Sequence, residues 1–225
     1  TSLGQIGVGL GGIGAVAGLV AGGAYVARRA SQPKVEGVRA PVAADLGRYR
    51  KALGLTGPLQ ATIATSQGVL TCDLLEDRAP IAVANFVGLA TGLKPWKDSL
   101  TGATRRGVPF YDDRTFYRVV PGLVIQGGRE PGQDAIADPG YRFATEASVA
   151  AAYVRGALVT VGDAGGNGAE FKLLDGEIPA LAGKDTVFGR CTPLDVIATI
   201  ARVPHDDLDR PRAPVKITMV AINAR

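Results

Sequence analysis

The chain has 225 residues, 46% of them apolar, with a formal net charge of +4 and an isoelectric point near 9.2. That length holds one domain of roughly 150–200 residues plus an appendage. The positive charge is mild and dispersed, with no aromatic residues interleaved along a basic stripe, which excludes a nucleic-acid binder. A single histidine, His205, leaves almost no material for zinc sites or His-based triads, and no cofactor is expected. Cys72 and Cys191 sit in apolar, strand-like surroundings and read as small buried hydrophobes. A single disulfide between them is the alternative, and it would imply an oxidising compartment.

Residues 1–27 carry no charge, and Ile6–Ala27 is long and apolar enough to cross a bilayer as a helix. Tyr25 followed by Arg28-Arg29 resembles an interfacial anchor and a stop. A signal peptide would need a basic start and a shorter apolar run, and a solvated Gly-rich tail would carry fewer Val, Ile and Leu. A transmembrane helix over 1–29 fits best. Gly7 and Gly11, and Gly14, Gly18 and Gly22, recur every four residues, so helices of other subunits are expected to pack on these stripes. Gly7–Gly12 also satisfies GxGxxG, but no strand can precede it, so a dinucleotide site is excluded. The basic flank from Arg28 to Lys51 puts the remaining chain on the cytoplasmic face or its organellar equivalent, with periplasm or lumen as the alternative. Residues 30–57 read as a basic tether with a short helix over Ala43–Leu53.

The globular part spans 58–225. Leu59–Thr65 and Gly68–Leu75 alternate as two strands joined by a Ser66-Gln67-Gly68 turn. Ala79-Pro80 opens a helix that ends near Ala90, before Thr91-Gly92. A polar excursion follows from Leu93 to Asp113. Later strands are expected over Phe116–Gly128, Ala157–Val161, Phe171–Leu174, Thr186–Cys191 and Val215–Ile222, with a second helix over Pro193–Arg202. The fold class is therefore mainly β: a closed antiparallel barrel capped by two helices, behind one N-terminal transmembrane helix. The acidic run Asp206, Asp207 and Asp209 lacks the spacing of a calcium loop and reads as a solvated turn.

The stretch Phe116-Tyr117-Arg118-Val119-Val120-Pro121-Gly122-Leu123-Val124-Ile125-Gln126-Gly127-Gly128 places one cation among apolar neighbours, where it is costly unless the guanidinium has a partner or a role. This stretch resembles the signature strand and loop of cyclophilin-type peptidyl-prolyl isomerases. Further segments are similar in order: Ala79–Leu89, Gly156-Ala157-Leu158, Thr186-Val187-Phe188-Gly189 and Asp209-Arg210-Pro211 leading into Val215. The resemblance covers residues 58 to 223. It implies an eight-stranded barrel, proline-containing peptide segments as ligands, Arg118 as the catalytic donor and Gln126 as the grip on the peptide backbone. It places Leu123, Val124, Glu170, Phe171, Lys172, Leu181 and Asp185 around the substrate.

Several of these positions depart from the family pattern. Leu123-Val124 stand for Phe-Met, Lys172 for a pocket aromatic, Ala180 for Trp and Asp185 for His; Tyr117 precedes Arg118 in place of His. Losing the aromatic removes on the order of 1.5–3 kcal/mol of apolar contact, and a cation in its place adds a desolvation cost. Glu170 and Lys172 lie two apart on one strand and are expected to pair across the pocket. A decayed pocket points to a membrane-anchored, scaffolding subunit of a larger complex with little or no isomerase activity. The alternative is a membrane-tethered peptidyl-prolyl isomerase that assists folding or assembly.

Overall fold

Alternation at period two along Leu59–Thr65 and Gly68–Leu74 makes β1 and β2, with Leu59, Ala61, Ile63, Leu70, Cys72 and Leu74 all buried. The structure, a computed structural model, describes residues 37–129, 137–146, 152–163 and 165–225. Pro80 opens α2 (Pro80–Thr91) where its missing N–H costs nothing, and left-handed Gly92 closes it by donating to the Leu89 carbonyl. Every residue from Ala82 to Ala90 is buried, because α2 lies between the sheet and the first helix, α1 (Ala44–Leu53).

The excursion after α2 carries two short paired strands, β3 (Trp96–Lys97) and β4 (Thr104–Arg105). The chain then forms β5 (Thr115–Val120), β6 (Val124–Arg129), β7 (Ala157–Asp163), β8 (Gly166–Leu174), β9 (Val187–Thr192), α3 (Leu194–Ala201) and β10 (Val215–Ala224). Eight strands close an antiparallel barrel in the order β1-β10-β5-β6-β8-β7-β9-β2. Its interior is filled by Ile63, Phe116, Ile125, Leu158, Phe171, Leu173, Ile217 and their neighbours, and Phe171 sits edge-on to Phe86, Tyr111 and Phe116.

Segment 37–57 is packed onto this body. Tyr49 is 1% exposed and its ring lies over Gly88 of α2, where an added Cβ would come within 2.7 Å of Cε2. Buried Asp45 accepts from the Val42 N–H and pairs with Arg39 and Arg48. Lys94 reaches across to donate to the Arg39 carbonyl at 2.6 Å. The expected transmembrane helix over 1–29 lies outside the described residues; among these, no helix is long and apolar enough to cross a membrane.

Cys72 and Cys191 form a disulfide, although the first reading of the sequence treats both as plain buried hydrophobes. The pattern identifies two buried positions but not that they face each other. They do so because β2 pairs with β9 in the register Cys72↔Cys191, at the last seam of the barrel.

Candidate active site

Strand alternation and two register shifts between β5 and β6 build the site. Phe116 pairs with Gly127 and Arg118 with Gln126, so Tyr117 is an extra residue on β5. Phe116 and Val119 point inward while Tyr117 and Arg118 both emerge on the outer face. Gly127 makes room for Phe116, whose ring would lie 2.9 Å from an added Cβ, and Gly128 takes φ +101°. Register then carries a row across the sheet: Arg118 opposite Gln126, Gln126 opposite Lys172, Lys172 opposite Val159, Val159 opposite Val187.

At one end of the row, Arg118 donates through Nε and Nη2 to Asp209 Oδ2, at 3.1 and 2.9 Å, and through Nη1 to Gln126 Oε1 at 3.3 Å. Asp209 comes from the loop before β10, where its carbonyl accepts from the Val119 N–H. Further along, Lys172 Nζ lies 2.9 Å from Asp185 Oδ2, with both side chains largely withdrawn from solvent. The expected Glu170–Lys172 pair is not formed. Glu170 is buried in a separate network, accepting from Tyr117 Oη at 2.7 Å, from Arg129 and from the Ala137 N–H. Two side chains on one face need not meet when a nearer partner of opposite charge lies across the sheet. Burial, with the Glu170 carboxylate second, pushes the Tyr117 phenol far above its ordinary value, so it remains a donor.

The far end of the row, Val159 and Val187, belongs to a second apolar cluster with Val124, Tyr153, Ala157 and Leu174, and Leu181 and Ile178 pack against it. Tyr153 Oη donates to the Asp185 carbonyl at 2.6 Å, tying the 182–186 loop to its edge. Leu123 stands exposed at the turn ahead of β6. That turn is held by Asp175, whose carboxylate accepts from the Gly122 N–H and whose own N–H donates to the Leu123 carbonyl. The structure thus gathers Arg118, Gln126, Lys172, Asp185, Val124 and Leu181. Phe171 belongs to the barrel interior and Glu170 to its own network. Among the described residues no group of three or more His, Cys, Asp or Glu could hold a metal ion.

Sequence reading missed Asp209, Asp175 and Arg129. Each reaches its partner across 41 to 91 residues, or 53 for Asp175 to Gly122. The one local signal was the Asp209-Arg210-Pro211 segment, in which Asp tolerates the left-handed φ of +63°.

Residues 60–222 match the profile of the cyclophilin type peptidyl-prolyl cis-trans isomerase family. The chain belongs to this family. A probable peptidyl-prolyl cis-trans isomerase A from Mycobacterium leprae is 36% identical over 168 residues, covering 72% of this chain and 91% of the relative. Peptidyl-prolyl cis-trans isomerase B from Streptomyces anulatus is 36% identical over 175 residues, covering 74% and 98%. The cyclophilin barrel is also that of a Cryptosporidium parvum cyclophilin solved in the presence of the dipeptide Ala-Pro. The TM-score is 0.60 at 23% identity, over 74% of this chain and 99% of that one.

Proposed function

We propose that this cyclophilin is a peptidyl-prolyl cis-trans isomerase acting on Xaa-Pro bonds of polypeptides. Rotation about such a bond meets a barrier of about 18–20 kcal/mol because amide resonance must be broken. No nucleophile is needed, only a site that binds the twisted amide better than the planar one. Arg118 supplies N–H donors to the proline nitrogen as it loses conjugation, and Gln126 holds the peptide backbone beside it. The observation that carries the reading is their direct opposition on β5 and β6, outside the barrel and open to a peptide. The proline subsite over Val124 and Leu181 is more polar than the family pattern implies, because the Lys172–Asp185 ion pair stands at its edge. Turnover is accordingly slow.

That same ion pair favours a second reading, a non-catalytic subunit of a membrane complex. Its helix over 1–29 would pack on neighbouring helices through Gly7, Gly11, Gly14, Gly18 and Gly22. The Cys72–Cys191 bond supports the periplasmic or luminal side for the domain. The deciding experiment is NMR exchange on a Xaa-Pro tetrapeptide with the full chain, beside Arg118→Ala. The isomerase reading expects turnover above background that falls about 10²–10³-fold in the variant, the usual cost of a lost transition-state donor. A flat trace from folded protein leaves the scaffold.

A further inference from the structure

We propose that Asp209 is a positioning residue that aims the Arg118 guanidinium at the substrate amide. The inference rests on the isomerase reading above. Three observations carry it. First, the carboxylate takes two of the five N–H donors, through Nε and Nη2, and fixes the plane of the guanidinium. Gln126 takes one more through Nη1, at the longer distance of 3.3 Å. Two donors are left among the described residues for an incoming amide. An arginine held by Gln126 alone would swing about its long side chain, and a donor that must first be ordered stabilises a transition state less.

Second, Asp209 is itself rigidly presented. Its N–H donates to the Asp206 carbonyl at 3.0 Å and its carbonyl accepts from Val119 at 2.8 Å. The Asp206 carboxylate gathers the Leu208 and Arg210 N–H groups and the Arg210 guanidinium, fixing the turn. This arrangement places a non-glycine residue at φ +63°, a conformation that is kept only where the surroundings over-determine it.

Third, stability does not explain the pair. The Arg118 and Asp209 side chains are 44% and 34% exposed, and an ion pair so open to water contributes little to folding. A site needs its first donor held by a second group more than the barrel needs one more surface bridge.

The test is a double-mutant cycle on the full chain. Asp209→Gly and Asp209→Asn both tolerate a left-handed backbone, so neither should disturb the turn. Each is made in the wild type and in Arg118→Ala, and each is assayed for kcat/KM on a Xaa-Pro tetrapeptide. We expect Asp209→Gly to lower kcat/KM about tenfold, carried by kcat rather than KM. We expect no further loss in the Arg118→Ala background, whereas a merely structural role would cost activity in both. The Arg118 Nε–H NMR signal is expected to be sharp and shifted in the wild type and to collapse to the solvent-exposed arginine position in Asp209→Gly. An unchanged kcat in Asp209→Gly, or an equal loss in both backgrounds, overturns the positioning role and leaves the isomerase reading standing. Absence of wild-type turnover overturns both.

Discussion

Lys172 and Asp185 hold each other at the edge of the second apolar cluster with only 11% and 14% of their side chains exposed. Removing one partner strands the other, whereas removing both strands nothing. Asp185→Ala should therefore cost about 1–3 kcal/mol in urea unfolding, and the Lys172→Leu/Asp185→Leu pair should return most of it. For turnover the same site predicts a gain. Lys172→Phe with Ala180→Trp, made together with Asp185→Asn so that no charge is stranded, restores roughly 1.5–3 kcal/mol of apolar contact to the proline subsite, so kcat/KM should rise at least tenfold. Asp98 gives the pH-dependent counterpart. Its carboxyl is held at about 2, first by the Thr101 N–H and next by Arg105. A depressed folded value means stability that is full above the unfolded value of about 3.9 and is lost as pH falls toward 2. Amide exchange at Leu100 and Thr101 should accelerate over that window, and Asp98→Asn should remove the pH dependence. Arg118 and Gln126 were legible through the resemblance of their segment to a family signature, in which a Pro-Gly turn sets them on adjacent strands within eight residues of each other. The pairs Arg118–Asp209, Lys172–Asp185 and Arg129–Glu170 were not legible, because opposite charges far apart in a chain are matched only once the fold brings them together.

Elements were easier to read than partners. The hairpin β1–β2, helix α2 and strand β10 stand within two residues of their expected bounds, because alternation, an N-terminal proline and a left-handed glycine act locally. The helix over 44–53 was also expected, but its docking was not. Its weak apolar face, whose large residues are Leu46, Tyr49 and Leu53, looks like a tether until Gly88 opens a seat for Tyr49. Gly88→Ala should test that seat. Alanine in a helix interior gains about 1 kcal/mol over glycine. Overpacking against the Tyr49 ring and Lys94 Cβ, at 2.7 and 2.8 Å from the new Cβ, typically costs 1–3 kcal/mol. The net expectation is a lower melting temperature, which Tyr49→Leu in the same background should partly relieve.

The whole molecule is a barrel stitched at its last seam. The Cys72–Cys191 bond spans 119 residues of sequence, and closing so long a loop is worth about 2–4 kcal/mol against the unfolded chain. Replacing both cysteines by alanine should lower stability by that amount, and a reducing agent should shift the melting temperature of the wild type alone. The closed barrel and the family were legible because many short patterns agree in sequence order, whereas the strand order and the seam depend on pairings such as β2 with β9. The bond also decides how the molecule would respond to mechanical tension. β1 and β10 lie side by side, with Arg225 donating to the Pro58 carbonyl, so a pull on Pro58 and Arg225 peels that pair apart from its end. The peeling halts at the disulfide after releasing roughly 50 residues, about 160 Å of extended chain. Arg118, Gln126, Lys172 and Asp185 lie inside the covalent loop and bear no load, but Asp209 lies outside it, on the segment under strain. Force would thus detach Asp209 from Arg118 and leave the other side chains of the site in place.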